Sequence, residues 1–227
     1  MADVLIAADG SVRVDVGNFD LPNDVQVLDR SGLVLGTGLV DLYSTSGEPG
    51  FEQRESLVSL TKAAQHGGFS KVGILPHTKP AIDNITALDF WRNWRNQARR
   101  NASQGESPIA PELMPWGAIT LDCAGNQIAD LAELAPAVIG FTDAKPLANL
   151  MLVRRVMEYV KPLNKPLMLW AYDPNLAGSG VMHEGRWSLQ YGLTGSWAAA
   201  ETAALAALIE LVALTGTPTH FMRISKA

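Results

Sequence analysis

Short apolar runs alternate with helix-length segments along most of this chain, and this alternation constrains the fold more than any other feature. From residue 33 onward, apolar runs of strand length are separated by longer segments with helical periodicity. The predicted strands are residues 34–42, 71–75, 114–120, 137–141, 166–171 and 219–224. The predicted helices are residues 52–66, 87–102, 126–134, 147–160 and 198–215. Runs this short and apolar are typical of parallel strands covered by helices, so the sequence predicts a parallel α/β fold.

Polar clusters directly follow several predicted strands and favour a barrel over an open sheet. The clusters are Tyr43-Ser44-Thr45, His77-Thr78-Lys79, Thr142-Asp143 and Tyr172-Asp173. Active sites of (β/α)8 barrels are built at this end of the strands, and no early strand is followed by the Gly-x-Gly-x-x-Gly motif of dinucleotide-binding sheets. We therefore expect a TIM-type barrel. Closure needs eight strands, and this chain offers about six, so we expect an incomplete barrel and a natural end beyond residue 227.

The first part of the chain has a different rhythm. Residues 4–6, 11–16 and 25–28 are short apolar or alternating segments, and turn signals such as Asp9-Gly10 separate them. This pattern predicts a small antiparallel β-sandwich-type unit over residues 1–31, followed by a partial barrel over residues 32–227.

Composition excludes several partners and locations. The net charge is −5 and no run of Lys or Arg exceeds a pair, so we expect no nucleic-acid surface. Cys123 is the only cysteine, which excludes an internal disulfide framework and fits the reducing cytoplasm. Residues 1–5 lack the basic start of a signal peptide, and the apolar residues 198–215 include two glutamates, so we expect neither a signal peptide nor a membrane span.

The segment at residues 38–50 is an apolar strand that runs into a polar turn closed by Glu48-Pro49-Gly50. It reads Gly-Leu-Val-Asp-Leu-Tyr-Ser-Thr-Ser-Gly-Glu-Pro-Gly. It resembles the first barrel strand of the dihydroorotase family of cyclic amidohydrolases, where the segment reads Gly-Leu-Val-Asp-x-His-x-His-x-Arg-Glu-Pro-Gly. The resemblance places Tyr43 and Thr45 at the positions of two metal-binding histidines. It places Gly47 at the position of the substrate-binding arginine.

Two segments in the middle of the chain continue this similarity. Residues 75–80, Leu-Pro-His-Thr-Lys-Pro, resemble the family's Met-Pro-Asn-Thr-x-Pro. His77 stands where the family has an asparagine that helps to bind the substrate carboxylate. Residues 141–143, Phe-Thr-Asp, resemble Phe-Ser-Asp, and Asp143 keeps a residue that is a metal ligand in one branch of the family.

The last two predicted strands also match the family with altered metal positions. Residues 170–173, Trp-Ala-Tyr-Asp, resemble the strand end His-Ala-Glu-Asp, so Trp170 takes the place of a metal-binding histidine. Residues 220–225 resemble the family's His-Ile-x-His-Val-Ser segment, which places Arg223 at the next one. We identify the chain as a metal-site-degenerate member of the dihydroorotase family that covers only its N-terminal portion.

The resemblance implies that metal-dependent hydrolysis has been lost. An active family member would hold zinc through ligands that converge at about 2 Å. A tryptophan nitrogen only donates hydrogen bonds, an arginine repels a cation, and threonine and neutral tyrosine are poor zinc ligands. We therefore expect no bound cofactor and no intact catalytic residue.

Three functions stay open at this point. The favoured one is a pseudoenzyme retained as a structural or regulatory partner, acting as a homo-oligomer or in a hetero-complex. The resemblance suggests aspartate carbamoyltransferase of pyrimidine biosynthesis, or a separate C-terminal half, as that partner. The second is an active dihydroorotase or related cyclic amidohydrolase with an atypical site. The third is a small-anion binding module that uses His77, Lys79 and Arg223.

Overall fold

The chain divides into two compact units, Met1–Thr37 and Gly38–Ala227. The structure, a computed structural model, describes residues 3–7, 11–16, 25–29, 32–103 and 110–225. In the first unit, strands β1 (Asp3–Ile6) and β2 (Val12–Asp15) pair in antiparallel orientation. Residues 25–29 form neither helix nor strand, so the described residues of this unit show one hairpin. The predicted boundary after residue 31 lies outside the described residues and stays a prediction.

Strands and helices alternate along the second unit. Its strands are β3 (Leu39–Ser44), β4 (Phe69–Ile74), β5 (Glu112–Pro115), β6 (Leu167–Trp170), β7 (Met182–His183), β8 (Gly195–Ser196) and β9 (Thr219–Met222). Its α-helices are α1 (Leu57–His66), α2 (Ile85–Ser103), α3 (Leu131–Leu134), α4 (Leu150–Val160), α5 (Pro174–Ala177), α6 (Arg186–Tyr191) and α7 (Ala199–Thr215). All strand pairs of this unit are parallel, which confirms the predicted α/β class.

The main strands form one parallel series in chain order. β3, β4 and β5 make a three-stranded sheet, and β6 pairs with β9. Isolated parallel bridges join Gly117 to Phe141 and Phe141 to Leu167, which connects β5 to β6 through a short bridged segment. β3 and β9 therefore stand at the two ends of the series. No pairing joins β3 to β9 in the residues that the structure describes, so a closed barrel is not observed.

The third and fourth predicted strands are shorter than the apolar pattern indicates. β5 ends at Pro115, and the predicted strand at residues 137–141 contributes only the bridge at Phe141. The residues that lead into it form a 3-10 turn, Ala135–Ala137, with a proline in its first turn. A proline has no backbone N–H to donate to a sheet, so the turn replaces the start of the strand.

Two helices begin five residues later than predicted, because polar side chains fix their first turns. α1 begins at residue 57 rather than 52, after Ser56, whose hydroxyl accepts the backbone N–H of Ser59 at 3.2 Å. α3 begins at residue 131 rather than 126, after Asp130, whose carboxylate accepts the N–H of Glu133 at 3.1 Å. Such caps set the start of a helix more firmly than its apolar spacing. Among the helices in the described part of the chain, none has the length and apolarity to cross a membrane.

Apolar side chains on the two faces of the sheet enter different clusters. Along β6, Leu167 and Leu169 join the main core, which helices such as α1 and α4 cover, whereas Met168 and Trp170 join a second cluster. This alternation follows from the two-residue period of a strand. We call the second cluster the inner cluster. It consists of Leu75, Trp116, Ala144, Met168 and Met222, with Tyr43, Ile139 and Trp170 packed against it.

Candidate functional site

The predicted site residues lie at the carboxyl ends of the parallel strands. Tyr43 is near the end of β3, and Trp170 is the last residue of β6. His77 follows β4, Asp143 follows the bridged segment, and Arg223 directly follows β9. Because the carboxyl ends of neighbouring parallel strands share one edge of a sheet, these side chains belong to the same edge.

Trp170 is the centre of a packed aromatic and cationic group. Its ring centroid lies 5.3 Å from that of Tyr172, with 23° between the ring planes. The guanidinium carbon of Arg223 lies 4.4 Å from the centroid of the Trp170 ring, within the range of a cation–π contact. Tyr43 and Trp170 also pack against the inner cluster. The indole therefore fills this end of the sheet by packing.

The carboxylate of Asp143 accepts hydrogen bonds from the segment that follows β5. Its Oδ1 accepts the N–H of Ile119 at 2.8 Å and the N–H of Thr120 at 3.0 Å, and its Oδ2 accepts the hydroxyl of Thr120. The residue is 1% exposed. Burial raises the pKa of its carboxyl, although these hydrogen bonds oppose the shift. Both oxygens therefore serve the segment after β5, which also explains why residues 119 and 120 do not continue that strand.

The end of β3 is held by an aspartate inside the strand. The carboxylate of Asp41 accepts the N–H of Tyr43 at 3.1 Å and the hydroxyl of Ser44 at 2.6 Å. Tyr43 is half-buried and Thr45 is exposed. The two side chains at the expected metal positions of this strand are thus in different environments.

The loop between β3 and α1 leaves no room for a side chain at Gly47. A Cβ atom added there would collide with the backbone carbonyl oxygens of Phe51 and Glu55. The carboxylate of Glu48 accepts the N–H of Leu57 at 2.9 Å, which ties the loop to the first turn of α1. An arginine at this position would require a different loop path.

Burial and two positive charges act on the imidazole of His77. It is half-buried, and its Nδ1 has no hydrogen-bond partner. Burial, followed by the charges of Lys145 and Arg223, lowers the pKa of its imidazole. The ammonium of Lys145 donates to the carbonyl of Cys123 at 3.1 Å. Lys79, which the sequence interpretation grouped with His77 and Arg223, is exposed, and its membership of a common site stays a prediction.

Most of the chain matches one known protein family. The family described as Dihydro-orotase-like matches residues 32–226. The chain belongs to this family. The "Probable dihydroorotase-like protein" of Synechocystis sp. (strain ATCC 27184 / PCC 6803 / Kazusa) is 37% identical over 236 residues, which cover 99% of this chain and 54% of that protein. The predicted family membership is confirmed.

Matches to dihydroorotases likewise cover nearly all of this chain and about half of each relative. Those of Pelobacter propionicus and Solibacter usitatus are each 33% identical to this dihydroorotase-like chain. The matches cover 97% and 99% of the chain and 50% of each relative. The chain therefore spans about half the length of the curated relatives it matches.

The residues at the expected metal positions do not fit a zinc ion. Arg223 carries a permanent positive charge, Trp170 offers no lone pair, and the oxygens of Asp143 already accept hydrogen bonds from the protein. In the part of the chain that the structure describes, no three His, Cys, Asp or Glu side chains are placed to hold a metal ion together. The correspondence of Tyr43 and Thr45 to family ligand positions rests on the sequence resemblance and stays a prediction.

Proposed function

We propose that this dihydroorotase-like protein has lost metal-dependent hydrolysis of dihydroorotate and serves as a non-catalytic structural or regulatory partner. The proposal rests on one observation: side chains at the expected metal positions contact other groups of the protein. Asp143 holds the backbone of residues 119 and 120, and Arg223 lies over the ring of Trp170. A hydrolytic metal centre needs free ligands that converge on the ion and leave a position for water.

Elemental analysis and a turnover assay test the loss of hydrolysis. We expect no stoichiometric zinc in the purified protein, and no hydrolysis of dihydroorotate or cyclisation of carbamoyl aspartate when zinc is added. The dihydroorotase of Pelobacter propionicus, assayed in parallel, provides the positive control. Stoichiometric metal together with turnover that a chelator abolishes would instead establish an active cyclic amidohydrolase with an atypical site.

The two end strands support a role that depends on a partner. β3 and β9 each lack a strand neighbour on one side within the described residues. On β3, Leu39, Val40 and Leu42 are 54%, 51% and 53% exposed, although parallel strands are normally covered on both faces. Unpaired strand edges readily accept another strand. We propose that the complete fold is a (β/α)8 barrel to which this chain contributes a part.

We propose that the partner is a second copy, a separate C-terminal half or aspartate carbamoyltransferase, the last of which would place the protein in cytoplasmic pyrimidine biosynthesis. Native mass measurement and co-purification of the tagged protein from its own host test this. Substitution Val40→Lys on β3 is expected to weaken the association, whereas Val58→Lys on α1, at nearly equal exposure of 50%, is expected to leave it intact. A monomer under all conditions, with no partner recovered, would contradict the proposal.

A further inference from the structure

A short excursion of the chain between β6 and α7 carries a dense group of exposed apolar side chains. We call residues 180–197 the excursion, which contains the paired strands β7 and β8 with α6 between them. Six of its large apolar residues are between 48% and 81% exposed. They are Val181, Trp187, Leu189, Tyr191, Leu193 and Trp197. Single exposed apolar side chains are common on protein surfaces, but a group of this density marks an interaction site.

The aromatic part of this surface adjoins a groove. The rings of Trp187 and Tyr191 stack, with centroids 6.2 Å apart and 19° between the ring planes. The guanidinium carbon of Arg186 lies 5.7 Å from the centroid of the Trp187 ring. Trp187 and Arg186 line a groove of about 630 Å³ together with Val181 and Glu184. Tryptophan, tyrosine and arginine are the residue types that most often dominate the binding energy of protein interfaces.

Hydrogen bonds hold the excursion in place. The backbone N–H of Glu184 donates to the carbonyl of Ser196 at 3.1 Å, beside the pairing of β7 with β8. The hydroxyl of the buried Ser188 accepts the N–H of Gly185 at 3.0 Å, which fixes the first turn of α6. A surface fixed in this way loses little entropy when a partner docks on it.

The exposed area of the excursion approaches the area that a stable dimer buries. With about 200 Å² for a whole aromatic side chain, its three exposed rings contribute roughly 350 Å². The three aliphatic side chains raise this total toward the ~800 Å² that each partner contributes to a standard interface.

The charges of the excursion suit contact with a second copy of the same surface. Apart from His183, its charged residues are Glu184 and Arg186, so the excursion is neutral in a chain of net charge −5. Both line the groove, and neither forms a salt bridge with another of the described residues. A two-fold axis through the groove would place Glu184 of each copy opposite Arg186 of the other.

We propose that a second copy of this chain docks on the excursion through a two-fold interface centred on Trp187. The excursion follows β6, which pairs with β9 on one side and is bridged to Phe141 on the other. A strand added to the sheet would instead pair with β3 or β9. The inference therefore goes beyond the proposed function, because it concerns a surface other than the free strand edges and does not depend on the loss of hydrolysis.

Sedimentation velocity of the whole chain over a range of concentrations tests the proposal. We expect a reversible equilibrium between monomer and dimer. Trp187→Ala should raise the Kd of the dimer by at least about tenfold, since it removes the central ring of the interface. Tyr159→Ala, which removes a comparably exposed ring from α4, should change the Kd by less than about twofold.

Charge reversal gives a second test that is specific for a two-fold pairing. Glu184→Arg and Arg186→Glu should each weaken self-association, because like charges then meet at both contacts across the axis. An equimolar mixture of the two variants should associate about as tightly as the wild type, because each variant offers the other the opposite charge at both contacts. Recovery in the mixture would also show that both variants are folded.

Several outcomes would overturn the proposal. They are a wild type that stays monomeric at every concentration, a dimer that Trp187→Ala leaves unchanged, and a mixture that associates no better than the single variants. If Val40→Lys dissociates the dimer and Trp187→Ala does not, association at the strand edges holds and this inference alone fails. If the wild type is monomeric and Trp187→Ala loses a different co-purifying protein, the surface belongs to that protein and not to a second copy.

Discussion

Replacing Asp143 with alanine separates a structural carboxylate from a metal ligand that has been left without its metal. In the structure the side chain accepts three hydrogen bonds, two from the N–H groups of Ile119 and Thr120 and one from the hydroxyl of Thr120. If Asp143 were only a former metal ligand, its charge would not stabilise the metal-free protein, because burial opposes ionisation of the carboxyl. If the carboxylate holds the backbone, its removal should lower the free energy of unfolding.

The size of the loss follows from the donors left without partners. Each buried donor that loses its acceptor costs about 1–3 kcal/mol, and the two backbone N–H groups cannot turn toward solvent. Asp143→Ala should therefore lower the free energy of unfolding by about 3–5 kcal/mol. Asp143→Asn keeps an oxygen for the two N–H groups and can donate to the Thr120 hydroxyl, so its cost should be about 1 kcal/mol or less.

Urea unfolding followed by tryptophan fluorescence measures these differences as shifts of the midpoint at unchanged slope. Glu133→Ala, which removes an exposed carboxylate from α3, should stay within about 0.5 kcal/mol of the wild type. If Asp143→Ala were no more destabilising than Glu133→Ala, the structural role of Asp143 would be refuted. If the alanine variant does not fold, the urea midpoint of Asp143→Asn compared with that of the wild type still shows whether a change at residue 143 destabilises the fold.

The pH dependence of the same pair provides an independent check. Burial raises the pKa of the Asp143 carboxyl above its ordinary value. A carboxyl with a raised folded-state pKa contributes stability that is fully present below the unfolded pKa of about 4 and is lost as the pH rises through the folded value. Asparagine does not titrate, so Asp143→Asn should gain stability relative to the wild type between pH 4 and pH 7. A constant difference over this range would contradict the assignment.

Three further predictions concern the surroundings of the site. Gly47→Ala should cost about 1–3 kcal/mol because its Cβ meets backbone, whereas Gly36→Ala, with nothing within 4 Å, should be nearly neutral in the same unfolding assay. Burial raises the pKa of Cys123 from an ordinary value of 9.0 to about 12, which leaves about 1,000-fold less thiolate. Iodoacetamide should therefore modify Cys123 at pH 8 only after the protein unfolds, and rapid modification of the native protein would be contrary evidence. Because the pKa of His77 is lowered in the folded protein, its contribution to stability is present above the unfolded pKa of about 6.5 and is lost as the pH falls. His77→Asn should reduce this loss of stability at acid pH. An unchanged dependence of stability on pH would count against a buried, cationic environment for His77.

The order of the strands could be predicted, because a strand covered on both faces must be apolar along its whole length. Residues 166–171, Pro-Leu-Met-Leu-Trp-Ala, meet this condition and contain β6. The extent of the third strand could not be predicted in the same way. The N–H groups of Ile119 and Thr120 donate to a carboxylate more than twenty residues away, and an apolar pattern does not show where backbone donors go.

The placement of the candidate site residues at strand ends could also be predicted, but not their contacts. The polar clusters follow strands at one edge of the sheet, whereas the contacts of their side chains depend on loop paths. Lys79 is close to His77 in sequence, but its N–H donates to the carbonyl of Pro49 at 2.9 Å, which ties it to the loop after β3. Lys145 is remote in sequence, yet its charge contributes to the lowered pKa of His77.

A zinc hydrolase uses one ion both to attract an anionic substrate and to generate the hydroxide that attacks it. Lys145 and Arg223 keep positive charge at the corresponding edge of this chain, but an ammonium or guanidinium group does not lower the pKa of a bound water as a divalent metal does. Asp143 cannot recruit such a metal while it holds the backbone.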